Sequence, residues 1–283
     1  MFTCDVASID LTPLPLLSND TATDNSLLSE QNTTDKALLG IPEWLAQINE
    51  DISRALERGA NIRQLVEARA CAIDSLLIAL FKWFELDKTD LALFATGGYG
   101  RGELSLYSDI DILLLSPDEI GADASSKIDK LVALLWDIGL EPALSVRSVN
   151  DALEAALDHT IASAQLEARL LIGNEALRDM PIQIVNKQWS PRAFFDVKME
   201  ESKARYLQHN ATEYNLEPNI KTAPGGLRDI HIIGWVTKRY FRVGKLYDLV
   251  QQNFLTEKEF DELSFAEGYL WQIRHYLHVL TGR

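Results

Sequence analysis

Two acids, Asp109 and Asp111, stand two residues apart in an apolar run formed by Ile110, Ile112, Leu113, Leu114 and Leu115. On a strand, residues i and i+2 point to the same face, so the two carboxylates share it. Left alone they repel, and one pKa must rise. Burial of the strand makes the pair costlier still. A divalent cation resolves the conflict, and magnesium commonly takes one or two carboxylates together with the phosphate oxygens of a substrate. Asp-x-Asp is a common string, and by itself it is better read as a strand end with two solvated acids. A second feature changes the balance. Gly97-Gly98 closes a short apolar run and lies eleven residues ahead of Asp109. Glycine there lets the backbone approach a ligand closely, and N–H groups at such a turn and at the next helix start can hold a phosphate. Competing glycine motifs fail on spacing. Glu103 stands where the last glycine of a Gly-x-Gly-x-x-Gly string belongs, and no Gly-Lys-Ser/Thr follows.

A further glycine-bearing string, Pro224 to Ile230, carries Arg228 and Asp229. Asp229 reads either as a third functional acid or as a cap or ion-pair partner of Arg228 or a nearby lysine. Arg228, beside Gly225-Gly226, is a candidate phosphate ligand, as is Arg101 on the first glycine loop. Between Lys221 and Tyr247 the chain holds six basic residues, with Asp229 as the only acid. Of these, Lys238, Arg239, Arg242 and Lys245 read as a solvated helix face. His231, Trp235 and Trp271 read as packing residues, and Tyr99 could serve either purpose.

The elements that position these residues follow from periodicity. Residues 1–40 are rich in Ser, Thr, Asn and Asp and read as a flexible tail. Helices are expected over 41–58 and 61–86. The period then shortens: strands are expected over 90–96, 109–115 and 144–148, with a helix over 124–138 before the last. Beyond residue 150 the pattern is helical, over 150–158, 160–172, 174–187, 191–209, 226–242 and 256–280. The expected architecture is α+β: a small mixed sheet with flanking helices over 41–150, then a helical domain over 151–283 that closes one side of the cleft.

The chain has 283 residues, 47% of them hydrophobic, and a net charge of -15. It is long enough for one large core or two smaller ones. Its acidity argues against a nucleic-acid partner unless a local basic patch overrides the mean. No apolar run reaches the length of a membrane helix and no signal-peptide pattern opens the chain, so a cytoplasmic protein without a membrane partner is expected. Cys4 lies in the polar tail and Cys71 in a helical pattern, so no structural disulfide is expected.

Strand, Gly-Gly, short helix and hydrophobic-Asp-hydrophobic-Asp together resemble the nucleotidyltransferase superfamily of the DNA polymerase β type. The fuller string, Gly97 to Leu104 followed by Tyr107-Ser-Asp-Ile-Asp111, with Pro224 to Ile230 and Gly234-Trp235, is similar to the bifunctional uridylyltransferase/uridylyl-removing enzymes of bacterial nitrogen signalling. The resemblance covers about Trp44 to Arg283. It implies transfer of UMP from UTP to a tyrosine of a PII-type regulatory protein, with release of pyrophosphate. It also implies two magnesium ions on Asp109 and Asp111, one of them brought by the nucleotide. Asp229 would join these two as a catalytic acid, and Gly97, Gly98, Arg101, Ser108 and Arg228 would contact the nucleotide. The same chemistry with ATP, as in the adenylyltransferase of glutamine synthetase, is one alternative; a catalytically silent module binding nucleotide or PII protein is another. The sequence departs from the pattern at Ser105-Leu106, where the family has His-Pro, and offers Ser145 rather than an acid on the third strand. Those enzymes also continue into a phosphohydrolase domain and glutamine-sensing domains. No His-Asp doublet occurs here and the chain ends in a helical pattern, so it reads as truncated, without uridylyl removal or glutamine control.

Overall fold

The computed structural model describes residues 40–208, 219–241 and 246–281. The tail expected over 1–40, apart from Gly40, lies outside these residues, as do Cys4, Arg242 and Lys245. Two helices come first: α1, Ile41–Glu57, with Pro42 in its first turn, and α2, Ile62–Trp83, capped by the Asn61 side chain. Strand β1, Ala92–Ala95, leads into a single-turn helix α3, Gly97–Gly100. Strand β2, Ile110–Ser116, is followed by α4, Ala122–Asp137, and β3, Pro142–Ser148. Helices α5, Val149–Ala155, and α6, His159–Leu166, come next, then β4, Arg169–Gly173. The described remainder is helical: α7, Met180–Gln188; α8, Pro191–Gln208; α9, Leu227–Phe241; α10, Asp248–Gln251; and α11, Glu257–Thr281.

The strands form one mixed sheet in the order β3-β2-β1-β4. β1 pairs antiparallel with β2 and with β4, while β2 runs parallel to β3 across the α4 crossover. Both faces of the sheet are covered, which explains the continuous apolar runs. Leu93, Ile112 and Leu114 face α1, α2 and α4, in the cluster that includes Ile48, Leu76 and Leu135. Phe94, Leu113 and Leu115 face the opposite way, against Ala152, Ala156 and Ile184. A third cluster joins α6 to α9 through Leu166, Phe194, Ile232 and Trp235.

The structure corrects the sequence reading at β4. A helix was expected over 160–172, but α6 stops at Leu166 and Arg169–Gly173 pairs with β1. Leu, Glu, Ala and Arg favour helix locally. The fully buried β1, however, has N–H and C=O groups on the edge away from β2 that need partners, and β4 supplies them. The segment beyond 150 therefore completes the sheet before turning helical. Cys71 is disulfide-bonded, which corrects the expectation of no disulfide. Among the described residues, no helix is long and apolar enough to cross a membrane.

Candidate active site

The glycine turn leaves the end of β1 at Thr96, and Gly97 takes a left-handed φ of 57°. A Cβ built on Gly97 would lie 2.6 Å from Asp111 Oδ2. Glycine is thus demanded twice, by the backbone and by the carboxylate pressed against it. Gly100 N–H donates to Thr96 O at 2.8 Å and is the first amide of the turn to do so. The amides of Gly97 and Gly98 precede the first helical bond and have no intrahelical acceptor. Gly98 is less constrained: its Cβ would stand 3.3 Å from Glu103 O. Gly100, which sequence reasoning did not single out, packs against Glu167 O, only 2.1 Å from where a Cβ would sit.

A buried network fixes the turn in place. The Tyr99 hydroxyl donates to Asp74 on α2 at 2.7 Å, and Arg169 on β4 grips the same carboxylate through Nη1 at 2.7 Å and Nη2 at 3.0 Å. Tyr99 therefore serves packing. The loop from Gly102 to Asp109 is held from two sides. Arg69 of α2 donates to Ser105 O at 2.9 Å, and burial lowers this guanidinium to about 10. From α11, His278 contacts Leu106 O, and Arg274 donates to Ser108 Oγ at 3.0 Å.

Asp109 lies just ahead of β2 and is exposed; Asp111 lies within the strand and is half-buried. The cost of the pair therefore falls on Asp111. Burial first, and the charge of Asp109 second, raise its carboxyl to about 6, partly offset by Lys221 and Arg101. By strand alternation Asp111 is on the same face as Leu113 and Leu115, but it opens into a cleft of about 280 Å³. Gly97, Gly98, Arg101, Ser108, Asp109 and Asp111 line this cleft on the sheet side, and Lys221, Arg228 and Arg274 line it from the helical side. Burial, then Arg274 and Arg228, hold Lys221 below the ordinary ammonium range, while Asp109 and Asp111 pull the other way. These cations and carboxylates are close enough to feel one another across the cleft.

The two carboxylates suit a hard divalent cation. No group of three or more His, Cys, Asp or Glu residues that could hold a metal occurs among the described residues. A cation at Asp109 and Asp111 would draw its other ligands from water and a substrate's phosphates, which is the habit of magnesium. From the sequence Asp229 reads either as a third functional acid or as a cap or ion-pair partner. It does not line the cleft. Its carboxylate pairs with Arg205 and accepts from the Tyr206 hydroxyl at 2.6 Å and from Gly225 N–H at 2.8 Å. Arg205 in turn donates to Thr222 O at 2.9 Å. Asp229 thus ties α8 to the Gly225 turn, close in the chain to Lys221 and Arg228.

Arg228 lines the cleft, with its guanidinium 5.1 Å from the centre of the Trp235 ring. Arg101 also lines the cleft but is held by Glu103 at 2.8 Å and by His231 Nε2, which accepts from it at 3.0 Å. Burial, with Arg101 next in effect, keeps His231 neutral, its pKa well below 6.5. His231 therefore orients Arg101. Lys238, read as a solvated residue, instead pairs with the buried Glu167, and Arg239 is buried with its guanidinium donating to Trp189 O. Arg274 and Lys198 were missed. Each is an ordinary basic residue in a helical pattern with no motif around it, and only the packing of α8 and α11 brings them to the cleft.

The profile of the nucleotidyltransferase domain matches residues 79–162, and that described as GlnD PII-uridylyltransferase matches residues 193–283. Curated relatives match along the chain and are named bifunctional uridylyltransferase/uridylyl-removing enzyme. The protein from Psychrobacter arcticus (strain DSM 17307 / VKM B-2377 / 273-4) is 82% identical over 285 residues, covering 100% of this chain and 31% of its own length. The protein from Psychrobacter sp. (strain PRwf-1) is 61% identical over 283 residues, covering 100% of this chain and 30% of its own length. That from Acinetobacter baumannii (strain AYE) is 46% identical over 245 residues, 86% of this chain and 28% of its own length. The chain thus spans about a third of the length of the curated relatives it matches. With the glycine turn and paired acids on a mixed sheet, and with both profiles matched in order, the chain carries a nucleotidyltransferase domain and is similar along its whole length to part of the bifunctional uridylyltransferase/uridylyl-removing enzymes.

Proposed function

We propose that this chain transfers UMP from UTP to a tyrosine of a PII-type regulatory protein and releases pyrophosphate. The observation that carries the reading is the cleft itself: Asp109 and Asp111 beside the Gly97 turn, opposed by Lys221, Arg228 and Arg274. In a chain of net charge -15, cations gathered against two acids suit a triphosphate with its metal. Magnesium bound there would neutralise phosphate charge and lower the pKa of the attacking phenol. The protein supplies position and charge. The amides of Gly97 and Gly98 face the phosphates, Ser108 and Arg274 hold the loop mouth, and Arg101, oriented by His231, contributes a fixed positive charge. Asp229 acts outside this list, by anchoring the segment that carries Lys221 and Arg228.

The test is incorporation of labelled UMP into a purified PII-type protein with magnesium, comparing the parent with an Asp109→Asn/Asp111→Asn double variant. Labelling by the parent and none by the folded variant is expected. Absence of labelling by both, with UTP bound and intact, would overturn the transfer reading in favour of a nucleotide-binding module.

A further inference from the structure

Part of the cleft is not accounted for by phosphate or metal. It is lined by α6, α8 and α9, which contribute Ser163, Lys198 and Trp235. Lys198 is 1% exposed, an uncommon place for an ammonium. Its Nζ donates to Glu201 at 2.8 Å and to His159 Nδ1 at 3.2 Å. An ammonium has three protons. The third has no hydrogen-bond acceptor among the described residues, although Nζ lies 4.8 Å from the centre of the Trp235 ring. Trp235 is 4% exposed, and its indole N–H is buried without any acceptor among the described residues. A buried donor left unpaired destabilises the fold, so a bound ligand that pairs it recovers that cost. Ser163 is buried as well, and its hydroxyl donates to His159 O at 2.7 Å, which commits its proton and leaves its lone pairs to accept.

The set is two donors and one acceptor. A uracil edge offers the complement, two carbonyl oxygens flanking one ring N–H. Cytosine replaces a carbonyl with an amino donor and the ring N–H with a bare acceptor; adenine likewise presents an amino donor beside a ring nitrogen acceptor. Against Lys198, an amino group meets a donor with a donor. Against Ser163, a bare ring nitrogen meets lone pairs with lone pairs. Sites that hydrogen-bond a substrate group discriminate sharply against analogues lacking it, because buried partners are then left unpaired. We infer that Ser163, Lys198 and Trp235 form the base-reading subsite that selects a uracil nucleotide over cytosine and adenine nucleotides. This inference rests on the uridylyl-transfer reading and deepens it by naming the residues that set base choice.

The experiment is equilibrium binding of UTP, CTP, ATP and inorganic tripolyphosphate to the whole chain with magnesium, for the parent and for Ser163→Ala, Lys198→Met and Trp235→Phe. Ser163→Ala removes one oxygen from a helix and is the variant safest for folding. The expected result is UTP binding weakened roughly three- to tenfold by Ser163→Ala, the loss of one hydrogen bond, with CTP and tripolyphosphate unchanged. Trp235→Phe, which keeps an aromatic ring beside Arg228, is expected to weaken UTP by a similar factor and leave tripolyphosphate alone. Lys198→Met should narrow the preference for UTP over CTP. A parent that prefers UTP, with Ser163→Ala and Trp235→Phe retaining that full preference and affinity, overturns the subsite and leaves uridylyl transfer standing. Equal losses for UTP and tripolyphosphate also overturn it, because the groups then serve phosphate. A parent that does not prefer UTP overturns the uridylyl reading and the subsite together.

Discussion

Asp111→Asn is expected to make the metal-free chain more stable while removing its function. In the folded chain the Asp111 carboxyl is raised from 3.8 to about 6, by burial first and by Asp109 second. The gap is about two pH units, and at about 1.4 kcal/mol per unit the ionised carboxylate costs the folded state about 3 kcal/mol at most. Asp111 is partly open to the cleft, and solvent screening reduces the figure to about 1–2 kcal/mol. The sign follows from proton binding. Below about pH 4 the group is protonated in both states and contributes nothing. From there to about pH 6 the folded state keeps a proton that the unfolded state has released, so stability falls as pH rises. Above that range the full cost is present. The amide carries no charge and escapes it. At pH 8 the variant should therefore melt roughly 2–8 °C above the parent, a gain that closes towards pH 4. Thermal melts followed by circular dichroism, at both pH values and with and without magnesium, read this directly. Magnesium with UTP should raise the melting temperature of the parent and leave the variant unmoved. A variant less stable than the parent at pH 8, or one with the same gain at both pH values, would show that Asp111 is not held ionised at a cost. The metal-site argument built on that cost would then fail.

Two further substitutions separate the glycine turn from the second motif. Gly97→Ala forces a Cβ into the Asp111 carboxylate from a backbone of φ 57°, so UTP binding measured by calorimetry should fall by at least about tenfold in a chain that still folds. Asp229→Asn strips the buried Arg205 of its counter-charge and should lower the unfolding free energy by about 2–4 kcal/mol in urea titrations. Unchanged stability with lost magnesium binding would instead return Asp229 to the metal.

Much of the candidate site was legible because its requirements are local. A left-handed turn after a buried strand asks for glycine wherever it occurs, and Gly97 declares it. Acids inside an apolar run declare a cost that needs a partner, and Asp109 and Asp111 did so. The helices from Ile41 and Ile62 and the three strands around these motifs were legible from periodicity and turn residues. What local pattern could not carry is which distant elements meet. Arg169–Gly173 is composed like a helix and became a strand because the far edge of β1 needed pairing. Asp229 reads as an acid in a glycine-bearing motif, yet Arg205 and Tyr206, more than twenty residues earlier, claim its oxygens.

The sequence by itself therefore determined the chemistry on offer: a glycine turn, two acids held where a cation is welcome, and an α+β frame around them. Those depend on φ, on side-chain period and on burial, which act within a few residues. The tertiary structure decided the company this chemistry keeps. It brought Arg274 from the last helix to Ser108, set Lys221 and Arg228 across from the acids, and left the Trp235 indole N–H buried without a partner among the described residues. Those are facts of packing between segments far apart in the chain, where hydrophobic burial chooses the neighbours and electrostatics follows.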